Sequence, residues 1–234
     1  MFDSAELHAR LSGVRDRIAR AAARSGRDPA SVTLVAVSKT FPASAIRALA
    51  AAGQLDIGEN KVQEALEKMA ETRDLPVRWH LVGHLQSNKA RKAAQHFHAI
   101  HSVDDAALLG RIDEGGRLAG RTVEVLIQVD LAGEPTKHGA VEESLAGLFE
   151  AADRCRAALV KGLMLLPPAA DDPEASRPFF AALARLRRRL LESGVAPARL
   201  AELSMGMSHD FEVAIEEGAT LVRIGTALFG ERPH

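Results

Sequence analysis

Thr33-Leu34-Val35-Ala36-Val37-Ser38-Lys39-Thr40 is a short apolar, β-branched run that ends in a lysine. A run of this length and composition reads as a strand buried on both faces, and Pro42 soon stops the pattern. Lys39 then stands at the carboxyl end of a buried strand, where α/β folds place their ligand-binding groups. A lysine amine is mostly protonated at neutral pH; partial desolvation lowers its pKa and makes it a nucleophile toward carbonyls. The same lysine could equally snorkel to solvent at a strand end, and the stretch alone leaves both readings open.

On the N-terminal side, residues 4–25 read as an amphipathic helix with Leu7, Leu11, Val14 and Ile18 on one stripe, Ser4 as N-cap and Gly26 as stop. On the C-terminal side the pattern alternates. A helix over 44–52 precedes a strand at 55–59; a helix from Asn60 to Met69, with Val62, Leu66 and Met69 inward, precedes a strand at 78–83. Ser87 is expected to cap a basic helix and Asp104 the helix after a strand at 97–103. Strands follow at 122–129, 157–166, 200–204 and 220–224, separated by helices over 141–154, 173–193 and 208–217. Eight strands in strict alternation with helices, without a linker or repeat, predict a parallel sheet closed into a single (β/α)8 TIM-type barrel domain over 1–234, with an open doubly wound sheet as the alternative. The last strand lacks a full helix behind it, so the N-terminal helix is expected to close the outer ring.

The 234 residues are 47% hydrophobic with a net charge of −1, which gives no overall pull toward nucleic acid or membrane. Cys155 is the one cysteine and Met1 to Glu6 carries no secretory pattern, so a cytoplasmic location is expected. No apolar stretch is long enough to span a membrane.

In a barrel, the carboxyl ends of the strands share one mouth. Lys39, Glu59 and Asn60, His84, Pro167, Ser204-Met205-Gly206-Met207-Ser208 and Arg223-Ile224-Gly225-Thr226 would then meet there. The small residues Gly206, Ser208, Gly225 and Thr226 let backbone N–H groups approach an anion, and Ser208 is expected to open a helix whose dipole favours negative charge. Asp210 and Glu212 would oppose a dianion and should point away. An amine facing a phosphate cradle suggests a phosphorylated aldehyde or ketone held as a Schiff base: pyridoxal phosphate, or a sugar phosphate in a lysine aldolase.

Val37-Ser38-Lys39-Thr40, Ile57-Gly58-Glu59-Asn60 with Gln63-Glu64, Trp79-His80-Leu81-Val82-Gly83 with Leu85 to Lys89, Gly162-Leu163-Met164, Ser204 to Ser208 with Asp210, and Arg223 to Thr226 occur in that order. The chain resembles the pyridoxal phosphate homeostasis protein family over nearly its whole length. The resemblance implies a barrel like the N-terminal domain of alanine racemases, pyridoxal 5'-phosphate bound as a Schiff base to Lys39, and Asn60 near the ring. It also implies Ser204, Ser208, Gly225 and Thr226 at the phosphate, with Met207 in the same segment, and Arg223 near the pyridine nitrogen. An arginine stays protonated there and leaves the ring nitrogen unprotonated, a poor electron sink. Lys61 departs from the common pattern; Lys137-His138-Gly139 matches a family Lys-x-Gly, and Lys137 reads either as a plain solvated loop lysine or as a second amine near the mouth.

Racemization needs a base on each face of the substrate. The resembling racemases take one from a tyrosine of a second domain, and this chain contains no tyrosine. The expectation is therefore a monomer that binds and delivers the cofactor, meets pyridoxal-phosphate-dependent apo-enzymes transiently, and has no committed reaction. The alternative is a low-activity racemase or related enzyme using His80, His84 or Lys137 as second base. No metal site is expected among His80, His84, His96, His98 and His101; His96 and His98 would share a face if extended. Arg185, Arg187, Arg188 and Arg189 read as a solvated helix face, and Cys155, between two arginines, as a bystander or a thiol of lowered pKa.

Overall fold

The computed structural model describes residues 4–133 and 138–230. Eight parallel strands pair in sequence order and close into a barrel: β1 (Thr33–Val37), β2 (Asp56–Glu59), β3 (Arg78–Leu81), β4 (Ala99–Val103), β5 (Val123–Gln128), β6 (Ala158–Met164), β7 (Glu202–Met207) and β8 (Leu221–Ile224). Closure is direct, with Ala36 opposite Ile57 of β2 on one side and Ile224 of β8 on the other. The helices are α1 (Ser4–Arg24), α2 (Ala43–Ala51), α3 (Val62–Glu71), α4 (Ala90–His96), α5 (Ala106–Leu118), α6 (Leu145–Arg154), α7 (Arg177–Glu192), α8 (Phe211–Glu216) and α9 (Thr226–Phe229). None of them is long and apolar enough to cross a membrane.

Alternation along the strands sorts the core into two layers. Leu34 and Ala36 join the large cluster between strands and helices, whereas Val35 and Val37 join Val82, Leu126, Met164 and Leu221 inside the barrel. Lys39 follows two residues beyond the strand, in the turn at the carboxyl rim. β2 must yield to these valines: a Cβ on Gly58 would lie 3.0 Å from Val35 Cγ1 and 3.2 Å from Val37 Cγ2. α1 packs against α2, α8 and α9 through its buried Leu7, Leu11, Val14 and Ile18. It therefore fills the gap left by the four-residue α9, as expected from the element count.

Local starts differ from the sequence patterns. Ser87 begins a 3-10 turn, and α4 starts only at Ala90 with Lys89 at the N-cap position. Asp105, not Asp104, caps α5, accepting from the Leu108 N–H at 2.7 Å. His96 ends α4 while His98 lies just before β4, so the two do not share a strand face. β7 runs on through Ser204 to Met207, and α8 begins only at Phe211. Ser208 therefore does not open α8. Asp210 spends its carboxylate on the Met207 N–H at 2.7 Å, inside a turn that only glycine permits: Gly206 has φ +90° and a Cβ there would lie 2.5 Å from Ala214 Cβ.

Candidate functional site

Lys39 is half-buried at the carboxyl rim of β1. The turn that carries it is held from behind. Thr40 adopts φ 70°, a left-handed conformation uncommon for a β-branched residue, and its N–H donates to Glu64 Oε1 at 2.6 Å. Lys68 Nζ donates to Ser38 O at 2.8 Å, Glu59 Oε1 at 2.7 Å and Glu64 Oε1 at 2.8 Å, and the Ser38 hydroxyl adds a 2.6 Å bond to Glu59 Oε1. Phe41 stacks on Phe229 with centroids 4.7 Å apart, tying the turn to α9. This buried network was not foreseen. Lys68 is buried on α3 along with Val62 and Ala65, whereas Leu66 and Met69 are only half-buried; its sequence trace is the Glu64–Lys68 spacing of four. Glu59, counted at the mouth, instead turns its carboxylate outward behind β1. Burial raises the Glu59 pKa despite Lys68 and Ser38; Glu64 is lowered, its hydrogen bonds from Lys68 and Thr40 outweighing desolvation.

Across the mouth, Ser208 Oγ accepts the Gly225 N–H at 3.2 Å and the Ala227 N–H at 3.1 Å. Ser208 and Gly225 are half-buried, while Met207 and Thr226 are exposed. Gly225 fits close over β1, where a Cβ would lie 3.4 Å from Val37 O. Glu212 points away as expected, pairing with Arg17 of α1 at 3.0 Å. Asn60 is half-buried beside Gly83, whose missing side chain lets the two backbones touch; Lys61 next to it is exposed.

Ser204 does not stand with Ser208. It is fully buried inside the barrel, accepting from Arg223 Nη1 at 2.7 Å and lying 2.9 Å from His101 Nδ1. Arg223 Nη2 donates to Leu165 O at 3.0 Å. Burial lowers the Arg223 guanidinium to about 10 against the opposing pull of Asp210, so it remains a cation at neutral pH. Both of its hydrogen bonds go to neutral oxygens. His80, offered as a second base, lies inside the barrel with Nε2 3.0 Å from Asp56 Oδ1 and Nδ1 3.0 Å from His101 Nε2. His84 is exposed and stacks face to face on His138 at 3.6 Å. With Asp104 these two place three ligand atoms within 4.8 Å of one another, but parallel imidazoles aim their lone pairs in parallel planes rather than at one centre. Lys137 lies outside the described residues. The α7 arginines 185, 188 and 189 are exposed and Arg187 half-buried; burial raises the Cys155 thiol, contrary to a lowered value.

Residues 10–233 match the family model described as the alanine racemase N-terminal domain. The chain is 48% identical to the pyridoxal phosphate homeostasis protein of Pseudomonas aeruginosa, across 96% of this chain and 95% of that protein. The chain belongs to the pyridoxal phosphate homeostasis protein family. A second member, from Aquifex aeolicus, is 45% identical over 96% of this chain and 98% of its own length. Among solved structures, PipY of Synechococcus elongatus superposes with a TM-score of 0.85 at 41% identity, over 96% of this chain and all of that one, in a form described as having PLP bound. The alanine racemase of Corynebacterium glutamicum, 17% identical with a TM-score of 0.73 over 99% of this chain and 62% of its own, shares the fold. The family's barrel and its likeness to racemase N-terminal domains thus agree with the sequence patterns.

Proposed function

We propose that this chain binds pyridoxal 5'-phosphate at the carboxyl mouth of the barrel, with Lys39 as its covalent anchor, and holds it for delivery to apo-enzymes inside the cell. The observation that carries this is the pairing of β1, which leads into Lys39, with β8, Val35 opposite Arg223 and Gly225 close over Val37 O beside Ser208, in a member of a family named for pyridoxal phosphate homeostasis. The residues fit the group. Arg223 is a buried donor-only cation with no carboxylate bond among the described residues, suited to a ring-nitrogen lone pair. The Gly225 and Ala227 N–H groups converge on one oxygen, Ser208 Oγ, the kind of donor cluster that phosphate oxygens accept from. Asn60 stands at the β2 rim toward the ring, and Met207 and Thr226 at the open edge. Ser204 serves the ring end through Arg223 rather than the phosphate.

Bound at Lys39, the cofactor supplies a carbonyl that exchanges with amines. Lys39, its proton given up to solvent, would hold the group through its aldehyde carbon, with the aldehyde oxygen lost as water. The chain's own residues stop there. It has no tyrosine, His80 is committed to Asp56 and His101, and His84 is stacked on His138. A monomer that releases cofactor without turning over amino acids is the resulting reading.

The test is the visible absorbance of protein reconstituted with pyridoxal phosphate and desalted. The expected outcome is a visible band in the parent and its loss in Lys39→Ala. A band of equal strength in Lys39→Ala would remove Lys39 from the site, and sustained amino-acid turnover above the free-cofactor rate would make the chain an enzyme.

A further inference from the structure

Behind Arg223 and Ser204, the barrel interior contains an unbroken hydrogen-bonded chain. Arg223 Nη1 meets Ser204 Oγ at 2.7 Å; Ser204 Oγ meets His101 Nδ1 at 2.9 Å; His101 Nε2 meets His80 Nδ1 at 3.0 Å; His80 Nε2 meets Asp56 Oδ1 at 3.0 Å. All five residues are buried. The chain crosses from β8 through β7, β4 and β3 to β2. Its far end borders a polar cavity of about 210 Å³ at the amino ends of the strands, opposite the mouth.

The two ends fix the protons between them. A guanidinium can only donate, and an ionised carboxylate can only accept. Asp56 is ionised: burial would raise its pKa, but hydrogen bonds from His80 and Arg78 hold it far below the usual aspartate range. His80 must therefore donate from Nε2 to Asp56. When neutral, it accepts at Nδ1, so His101 must donate from Nε2 and accept at Nδ1 from the Ser204 hydroxyl. Ser204 then turns its lone pair to Arg223. With both imidazoles neutral, one ordering satisfies every link: both rings in the Nε2–H form. Burial pushes the His101 pKa well below its ordinary value, which agrees with a neutral His101.

Resting on the proposed cofactor site, we infer that Asp56, His80 and His101 are positioning residues for its ring end: they order the Ser204 hydroxyl, and Ser204 aims the Arg223 guanidinium that faces the ring nitrogen. The ordering is also reversible. A proton added to the imidazole pair makes His80 donate to His101 Nε2 and His101 donate from Nδ1 to Ser204, which turns the Ser204 hydroxyl proton away from His101. The state of the lower cavity is thereby coupled to the ring end. The charged and titratable groups facing the pair are Asp56 on β2, Arg78 on β3, His98 ahead of β4, Glu124 on β5, Glu202 on β7 and Arg223 on β8. His98 is itself held toward the neutral form, chiefly by burial.

Nitrogen-15 NMR of the full chain, with and without pyridoxal phosphate, reads the tautomers directly. The two rings should appear in one of two paired states: both as neutral Nε2–H rings, or His80 as a cation with His101 as a neutral Nδ1–H ring. A neutral Nδ1–H ring at His80, or an Nε2–H His101 beside a cationic His80, overturns the inference. The pH midpoint of the visible band in the loaded protein provides the second readout. It should move by at least about one pH unit in His80→Gln relative to the parent, and remain in place in His96→Gln, which lies outside the chain. A folded, loaded His80→Gln that titrates like the parent overturns the inference. If His80→Gln does not fold, the tautomers of the unsubstituted protein decide. If the parent binds no pyridoxal phosphate, the proposed function fails, while the tautomers of the unloaded protein still decide the ordering.

Discussion

Asp56 and Glu59 lie three residues apart on β2, both buried, and their carboxylates are driven in opposite directions. Asp56 faces the barrel interior. Arg78 reaches both of its oxygens, with Nε donating to Oδ1 at 2.6 Å, and His80 adds a third bond; these donors overcome burial and hold it far below its usual pKa. Glu59 faces outward, and its donors among the described residues crowd one oxygen: Lys68 and Ser38 bond Oε1, while Oε2 is buried with no partner among them. There burial wins, with Glu64 repelling from nearby, and the pKa rises. Burial alone does not set a carboxylate's charge; the distribution of donors over its two oxygens does. The two environments also do different work. The Glu59–Lys68–Glu64 network fixes backbone, through Ser38 O and the Thr40 N–H, and so places Lys39. The Asp56 chain fixes protons, and so orders Arg223.

The sharpest way to break the outward network is Lys68→Met. It leaves Glu59 buried without a cation, and loss of one partner of a buried pair costs about 3–5 kcal/mol. Urea unfolding should show that loss, and Glu59→Gln in the same chain should recover part of it; no loss would mean the network is solvated. The inward site is tested by Asp56→Ala, which strands His80 Nε2 and frees Arg78 to solvent. The expected cost is about 1–3 kcal/mol, read in the same unfolding experiment.

The contrast also has a sign in pH. The folded protein binds a proton at Asp56 more weakly than the unfolded chain does. Stability contributed by Asp56 is therefore complete above the ordinary value of 3.8 and is lost as pH falls below it. Glu59 acts in reverse. Its contribution is complete below 4.5 and is lost as pH rises through its raised folded value. Unfolding free energies measured from acid to neutral pH should therefore lose the high-pH decline in Glu59→Gln and keep the acid-side loss. The smallest effect is that of Glu59→Gln itself at neutral pH, within about 1 kcal/mol of the parent, because the amide still accepts from Lys68 and Ser38.

The barrel was legible because its signal is repeated: eight apolar runs each bounded by helix patterns, and a leftover N-terminal stripe with one place to go. The place of Lys39 at the carboxyl rim of β1 was legible from the apolar run that leads into it. Helix starts were not. Ser87, Asp104 and Ser208 all carry capping side chains, and the choice between Asp104 and Asp105 rests on backbone geometry one residue apart. The His80–His101–Ser204 chain was invisible for another reason. Its links span 21 and 103 residues of sequence, and only closure of the barrel brings them together. Lys68 sat in plain view as an i,i+4 pair with Glu64, a spacing that normally marks a solvated face.

The central claim is that the β1 lysine carries the cofactor. Borohydride reduction of the loaded protein, followed by proteolysis and mass mapping of the modified peptide, tests it most directly. The account predicts one reduced pyridoxyl adduct, on Lys39. An adduct confined to Lys61, Lys68 or Lys137, with Lys39 unmodified, would contradict it.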